Sequence, residues 1–271
     1  MPEPHDWRTL DRAALSRAYD NSGAVAGSAE IVAGWRARSA RFREGHPEAL
    51  DLAYGPGERQ RIDLFRSGQP SAPLFAFLHG GYWQRNGRDG FSCMAEGPLA
   101  LGLDVALIGY TLAPEASLTG IADETRAALR LLRAEAGERR LVVSGWSAGG
   151  HLAALAQDEA DAVLAISGVF DLAPIAGTAL NDALHLTAGE IAALSPIRHV
   201  GAGGPPAAII YGADELPELC RQSAAYHAVR AAAGLAGPLM ALPGTNHFTV
   251  LDALISPDGA IAREAARLAG L

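Results

Sequence analysis

The chain has 271 residues, of which 49% are hydrophobic and 19% are charged, and its formal net charge is −8. This composition supplies a core for one large domain or two small ones, and the acidic balance argues against a surface for nucleic acid or anionic membranes. The first eleven residues are polar and no apolar run reaches membrane-spanning length, so we expect neither secretion nor membrane insertion. Cys93 and Cys220 lack the spacing of a metal site, which predicts free thiols in a cytoplasmic protein.

The hydrophobic pattern predicts strands that alternate with helices along the chain. Residues 9–43 should form two helices separated by Asn21-Ser22-Gly23, which either pack on the main body or close one side of an active site. A β-hairpin is predicted next, with strands at 49–54 and 60–65. Buried strands are predicted after it, at 74–78, 103–109, the run into Ser147, 162–166, 206–211 and 238–242. Helices are predicted at 121–136, after Ser147, at 217–233, and from Ser256 as N-cap.

Between two of these strands, residues 168–204 form a long irregular or partly helical excursion, which is either functional or mobile. The alternation of strands and helices implies right-handed βαβ units and a mostly parallel sheet. Because no internal repeat or low-complexity linker divides the sequence, we expect one domain over residues 1–271, with an N-terminal helical segment over 1–48.

The strongest motif is Gly145-Trp146-Ser147-Ala148-Gly149, between an aliphatic run and a helical pattern. A strand, a sharp turn and a helix in this order lift a serine hydroxyl out at the carboxyl end of a sheet. The turn is strained and favours glycine on both sides of the serine. The backbone N–H of Ala148 would then face whatever Ser147 attacks. The alternative is an ordinary glycine-rich loop between strand and helix.

Ser147, Asp214 and His247 each follow a predicted strand, and catalytic groups of open α/β sheets gather at the carboxyl ends of strands. Their order along the chain is the nucleophile, acid and base order of α/β-hydrolases. His247, with an ordinary pKa of about 6.5, could take the serine proton, and Asp214 could orient the imidazole. Glu215 and Asp171 are alternative acids, and a capping or surface role is the alternative for His247.

The segment His79-Gly80-Gly81-Tyr82-Trp83 follows the buried strand at 74–78. Glycines allow a loop to turn its N–H groups toward one point, as an oxyanion requires, although a glycine-rich strand exit would look similar. His151 lies in the helix after Ser147, where we expect it to pack or cap.

These motifs resemble the arylformamidase (kynurenine formamidase) family of serine hydrolases, which is related to the hormone-sensitive lipase group. The resemblance runs from about Tyr19 onward and includes the sequences around Asp51, Asp63, Phe170, Ser195, Arg221 and Asn246. It implies an α/β-hydrolase fold, with a mostly parallel central sheet, an N-terminal antiparallel hairpin and helices on both faces.

The resemblance also implies roles for individual residues. Ser147, Asp214 and His247 would form the triad. Gly81, Tyr82 and Ala148 would donate the oxyanion N–H groups, with Gly80 as the alternative donor. We expect Trp83 and Trp146 to contact the substrate.

The expected activity is metal-independent and cofactor-free hydrolysis of a small acyl group, formyl by preference, from an aryl amide such as N-formylkynurenine. The sequence lacks the clustered His and Asp ligands of metal-dependent formamidases. We expect residues 170–196 and the N-terminal helices to close over the leaving group. The alternatives are a carboxylesterase with the same triad and a non-catalytic protein that binds ligands on this fold. The expected partner is a small-molecule substrate, with a homodimer left open.

Overall fold

The computed structural model describes residues 6–201, 203–235 and 237–271. Within these residues eight strands form a single sheet in the order β1-β2-β4-β3-β5-β6-β7-β8. The strands are β1 (Leu52–Ala53), β2 (Arg61–Phe65), β3 (Leu74–Leu78), β4 (Asp104–Ile108), β5 (Leu141–Trp146), β6 (Ala162–Ile166), β7 (Ala207–Gly212) and β8 (Leu239–Leu242). The pairs β1–β2 and β2–β4 are antiparallel, and the remaining pairs are parallel.

The α-helices lie between and beside these strands. They are α1 (Arg12–Ala18), α2 (Asn21–Ala24), α3 (Ser28–Glu44), α4 (Glu96–Ala100), α5 (Leu118–Ala136), α6 (Ala148–Leu155), α7 (Ala173–Ala176), α8 (Asn181–Leu184), α9 (Ala188–Leu194), α10 (Pro217–Ala232), α11 (Asp252–Ile255) and α12 (Ala260–Ala269). None of the described helices is both long enough and apolar enough to cross a membrane.

Both faces of the sheet are buried. In β3, alternate residues enter two separate cores: Leu74, Ala76 and Leu78 pack on one side, and Phe75 and Phe77 on the other. The first core includes residues of α5, α6 and α10, and the second includes residues of α3 and α12. The predicted architecture is therefore confirmed: a mostly parallel sheet with an antiparallel N-terminal part and helices on both faces.

The structure corrects two local predictions. Asn21-Ser22-Gly23 lies between the two longer N-terminal helices, α1 and α3, as predicted, but it is itself helical and forms most of α2. The Asp20 carboxylate accepts a hydrogen bond from the Gly23 N–H and caps this short helix. Ser256 is not the N-cap of the last helix. Its N–H donates to Asp252 and its carbonyl accepts from Gly259, so it lies in a turn between α11 and α12.

Candidate active site

Ser147 lies at the junction between β5 and α6, as the motif predicts. Its backbone is in a rare conformation, with φ 58° and ψ −117°, and its N–H donates to the Ile166 carbonyl at 2.8 Å. A Cβ on Gly145 would collide with the backbone of Gly149, and a Cβ on Gly149 would collide with the Leu78 carbonyl. Glycine is therefore required on both sides of the serine, since α6 starts directly against two strands.

The acid that contacts His247 is Glu215 and not Asp214. Nδ1 of His247 lies 2.8 Å from Oε2 of Glu215, and the Glu215 side chain has no exposed surface. Asp214 is exposed, and its backbone N–H donates to the Thr245 carbonyl. The prediction for Asp214 is therefore wrong by one position. The third candidate, Asp171, accepts a hydrogen bond from the Ala173 N–H within the excursion.

The turn after β7 explains why the second acid reaches the histidine. The Glu215 N–H donates to the Gly212 carbonyl, so the chain folds back and directs the Glu215 side chain toward the end of the strand. There Oε1 accepts hydrogen bonds from the Gly212 N–H at 2.6 Å and from the Ser167 hydroxyl at 2.5 Å. These two donors fix the position of the Glu215 carboxylate beside the imidazole.

Glu215 also determines which nitrogen of His247 carries a proton. Because the carboxylate can only accept, Nδ1 of His247 donates to it, and Nε2 is left as the acceptor. The indole N–H of Trp146 donates to the His247 carbonyl at 2.7 Å, and the two rings lie 5.0 Å apart. The histidine is therefore fixed at both its ring and its backbone.

The loop after β3 turns two N–H groups away from the protein's own carbonyls. Gly81 has φ +122° and Tyr82 has φ +51°. Among the described residues, neither N–H donates to a protein acceptor, and both residues line the same cavity as Ser147. The carbonyls of Gly80 and Gly81 accept hydrogen bonds, that of Gly80 from the Asn86 side chain at 3.1 Å. The predicted third donor, Ala148, is the first residue of α6 and is buried.

Ser147 and His247 open onto a cavity of about 400 Å³. The N-terminal segment supplies much of its wall, from Asn21 through Arg36, so these helices both pack on the body and line the site. The lining also includes Trp146 and Phe248. None of it comes from residues 168–204 that the structure describes, and the closure of residues 170–196 over the leaving group stays a prediction. The excursion packs beside α1, where Arg12 pairs with Asp182 at 2.6 Å.

The two predicted tryptophan contacts have different outcomes. Trp146 lines the cavity, so its contact with the substrate stays a prediction. Trp83 does not; it is fully buried, with its ring edge against His151 at a centroid distance of 4.9 Å. The prediction of a substrate contact for Trp83 is therefore wrong, because the loop turns its side chain into the core. His151 packs there as expected, and its Nε2 lies 2.7 Å from the Leu194 carbonyl.

A buried hydrogen-bond network joins the loop after β3 to the N-terminal helices. The Tyr82 hydroxyl donates to the Tyr19 carbonyl at 2.6 Å and accepts from the Asn21 side chain at 3.1 Å. The Tyr19 hydroxyl donates in turn to Glu218 at 3.0 Å. Burial raises the pKa of the Tyr82 hydroxyl, which keeps it protonated as a donor.

Sequence reasoning missed several residues around the site. Ser167, which donates to Glu215, follows β6 at the carboxyl edge and could have been found by the argument that found His247. The network around Tyr19 and Asn21 had no comparable signal, because its members are far apart in the sequence. His79 is also structural: its ring stacks on Tyr110 at 4.3 Å, and its Nδ1 lies 2.9 Å from the Gly80 carbonyl.

Burial lowers the pKa of both His79 and His151 to about 4, so both are neutral at pH 7. Among the described residues, no three His, Cys, Asp or Glu side chains form a group that could hold a metal ion.

Comparisons with known proteins agree with this architecture. The BD-FAE family model matches residues 62–228. The kynurenine formamidase of Danio rerio is 26% identical over 92% of this chain and 94% of its own length, and that of Salmo salar is 28% identical over 77% and 78%. Among solved structures, a candidate thioesterase from Silicibacter sp. is similar with a TM-score of 0.83 and 28% identity, covering 92% of this chain and 97% of the other. An esterase from Pyrobaculum calidifontis has a TM-score of 0.67 at 17% identity, covering 89% and 92% of the two chains, and shares the fold. The chain therefore belongs to the BD-FAE family, and it is a hydrolase of the α/β-hydrolase fold that resembles the kynurenine formamidases.

Proposed function

We propose that this protein is a metal-independent serine hydrolase that removes a small acyl group, formyl by preference, from an aryl amide such as N-formylkynurenine. The observation that carries the proposal is the position of Ser147 on its strained turn, beside His247, whose ring is held by Glu215, at one cavity. Similarity to kynurenine formamidases along most of the chain supports the choice of substrate.

The reaction begins with attack of the Ser147 Oγ on the acyl carbon, while Nε2 of His247 takes the hydroxyl proton. Glu215 stabilises the imidazolium that forms, because its carboxylate is already ordered by two other donors. The negative charge on the carbonyl oxygen is stabilised by the N–H groups of Gly81, Tyr82 and Ala148. His247 then gives its proton to the leaving nitrogen, and the bond between carbon and nitrogen breaks.

Water completes the cycle. His247 takes a proton from a water molecule, the hydroxide attacks the acyl-serine, and the carboxylic acid leaves as Ser147 regains its proton. An aryl amine leaves more readily than an alkyl amine, and protonation by His247 assists its departure. This chemistry requires only residues that line or adjoin the cavity.

The aromatic residues that line the cavity favour a substrate with a small acyl group. Trp146 and Phe248 line the cavity together with Ser147, and a Cβ on Gly80 would collide with the Trp146 ring. Large rings packed directly against the oxyanion loop leave limited room beside the attacked carbon. Each methylene that a tight pocket excludes changes discrimination by about 1–3 kcal/mol.

The second candidate is hydrolysis of esters or thioesters by the same residues. It is favoured by the 28% identity to the candidate thioesterase, which covers 92% of this chain. This candidate predicts a shallow or reversed dependence on acyl length and poor cleavage of amides.

A matched series of formyl, acetyl and butyryl derivatives of one aryl amine and one phenol separates the two candidates. We expect kcat/KM to fall steeply from formyl to butyryl and N-formylkynurenine to be cleaved efficiently, with Ser147→Ala as the background control. If butyryl esters are the best substrates and N-formylkynurenine is untouched, the formamidase proposal is wrong while the serine mechanism stands.

A further inference from the structure

The cavity at Ser147 is lined by positively charged side chains, although the protein as a whole is acidic. Its lining includes two arginines, Arg36 of α3 and Arg85 of the loop after β3, and no aspartate or glutamate among the described residues. The chain as a whole has a net charge of −8. An acidic protein that presents only arginine charges at its candidate active site favours an anionic ligand there.

Neither arginine is neutralised within the described part of the chain. Arg36 makes a side-chain hydrogen bond to Asn86 at 3.3 Å, and neither it nor Arg85 lies within 4.0 Å of a described carboxylate. On the same helix as Arg36, Arg38 and Arg43 do pair, with Glu96 and Asp63 respectively.

The acids closest to this region do not cancel the charge. Glu215 lies behind His247 with no exposed side-chain surface, and it is already occupied by three donors. Asp89 lines the adjoining hollow on the other side of Arg36, and that hollow also contains Arg59. Arg36 and Arg85 are both exposed residues that line the cavity, so a ligand can reach them.

We propose that Arg36 and Arg85 bind a carboxylate on the leaving group, so that the substrates are aryl amides or esters whose aryl side carries an anionic substituent. Guanidinium groups bind carboxylates with strong, charge-assisted hydrogen bonds. Among the described residues the cavity offers no carboxylate for an ammonium group, whose polar neighbours would be neutral residues such as Asn21 and Ser28. The amino group of an amino acid is therefore not required. This inference rests on the proposed function, because the proposed reaction is what places the leaving group in this cavity.

The test uses four formanilides that share the aromatic core of N-formylkynurenine and differ only in the charged groups of the side chain. Their side chains carry the carboxylate and the ammonium, the carboxylate alone, the ammonium alone, or neither. We expect removal of the carboxylate to lower kcat/KM by about tenfold or more, as loss of a charge-assisted interaction does. Removal of the ammonium should leave kcat/KM unchanged or raise it.

Arg85→Gln and Arg36→Gln should each lower the ratio of kcat/KM with the carboxylate to kcat/KM without it by about tenfold. The matched control is Arg41→Gln, because Arg41 is on α3 and exposed but does not line the cavity. Equal cleavage with and without the carboxylate would overturn the proposal, as would a loss in the arginine variants that is the same for all four compounds.

A second pair of substrates keeps this test separate from the proposed function. If no formanilide is cleaved, the formamidase proposal fails, and 3-acetoxybenzoate and phenyl acetate then test the arginines in an ester reaction. A preference for 3-acetoxybenzoate that disappears in Arg85→Gln supports the carboxylate site, and the absence of any preference refutes it.

Discussion

Replacement of each of two adjacent acids tests the candidate site most directly. Glu215→Gln keeps the size of the side chain, but an amide cannot accept from the Gly212 N–H, the Ser167 hydroxyl and Nδ1 of His247 together. Either one buried donor loses its acceptor, or the imidazole adopts the tautomer with the proton on Nε2. In that tautomer Nε2 cannot take the proton of Ser147.

The expected loss of kcat in Glu215→Gln follows from the loss of His247 as a base. Replacement of a triad carboxylate by its amide costs about 10⁴ in kcat where the wrong tautomer results, which corresponds to about 5.4 kcal/mol in the activation free energy. Asp214→Asn changes an exposed side chain with no described contact to His247, so kcat should change by less than about twofold. Asp214→Asn is thus a matched control for Glu215→Gln, because both variants replace a carboxylate by its amide.

The assay is kcat on an activated formyl or acetyl ester, measured for both variants at pH 7 together with the melting temperature. A large loss of kcat in Glu215→Gln with a folded protein is the expected result. A greater loss in Asp214→Asn than in Glu215→Gln would refute the assignment, and it would return the acid role to the residue that sequence reasoning chose.

Three further outcomes are expected. Ser147→Ala should stay folded and lose at least about a thousandfold in turnover, and an organophosphate should label Ser147 in a mass-mapped digest; labelling of another serine would contradict the mechanism. Activity should survive exhaustive EDTA treatment, whereas recovery of a chelated, inactive enzyme on addition of zinc would show that a metal takes part. The free energy of unfolding should fall between pH 7 and pH 5. Burial lowers the pKa of His79 and His151 to about 4, so below about pH 6.5 the unfolded chain binds protons that the folded chain does not. Each histidine should lower the free energy of unfolding by about 2 kcal/mol between pH 7 and pH 5. In denaturant titrations at these two pH values, His151→Gln should reduce the difference in unfolding free energy by that amount. If the difference in His151→Gln equals that of the unsubstituted protein, His151 is not its source.

Residues that obey local rules were predictable from the sequence. The buried strands were found within one or two residues, because continuous apolar runs bounded by turns are a strong signal for parallel strands. The turn at Ser147 was predicted in detail, since its two glycines are required by contacts with the strands beside it. His247 followed from its place after the last strand.

The choice between Asp214 and Glu215 was beyond sequence reasoning for a geometric reason. Both acids follow β7 within three residues, and Asp214 was preferred because it is nearer to the end of the strand. The chain turns back, with the Glu215 N–H bonded to the Gly212 carbonyl, so the more distant residue returns to the strand end. Trp83 was misplaced for a similar reason, because its positive φ turns the ring into the core.

The loop after β3 shows why the N-terminal helices belong to the site. Tyr82 and Trp83 both have positive φ, a conformation that costs a bulky residue about 1–3 kcal/mol and persists only where the surroundings enforce it. The Trp83 carbonyl is held by the Ala113 N–H at 2.8 Å, and the Tyr82 hydroxyl is held by Tyr19 and Asn21. The backbone of Tyr82 thus faces the cavity while its side chain is anchored in the N-terminal segment. The segment that lines the cavity therefore also holds the loop in the conformation that leaves the Gly81 and Tyr82 N–H groups without a protein acceptor among the described residues, as the proposed oxyanion role requires.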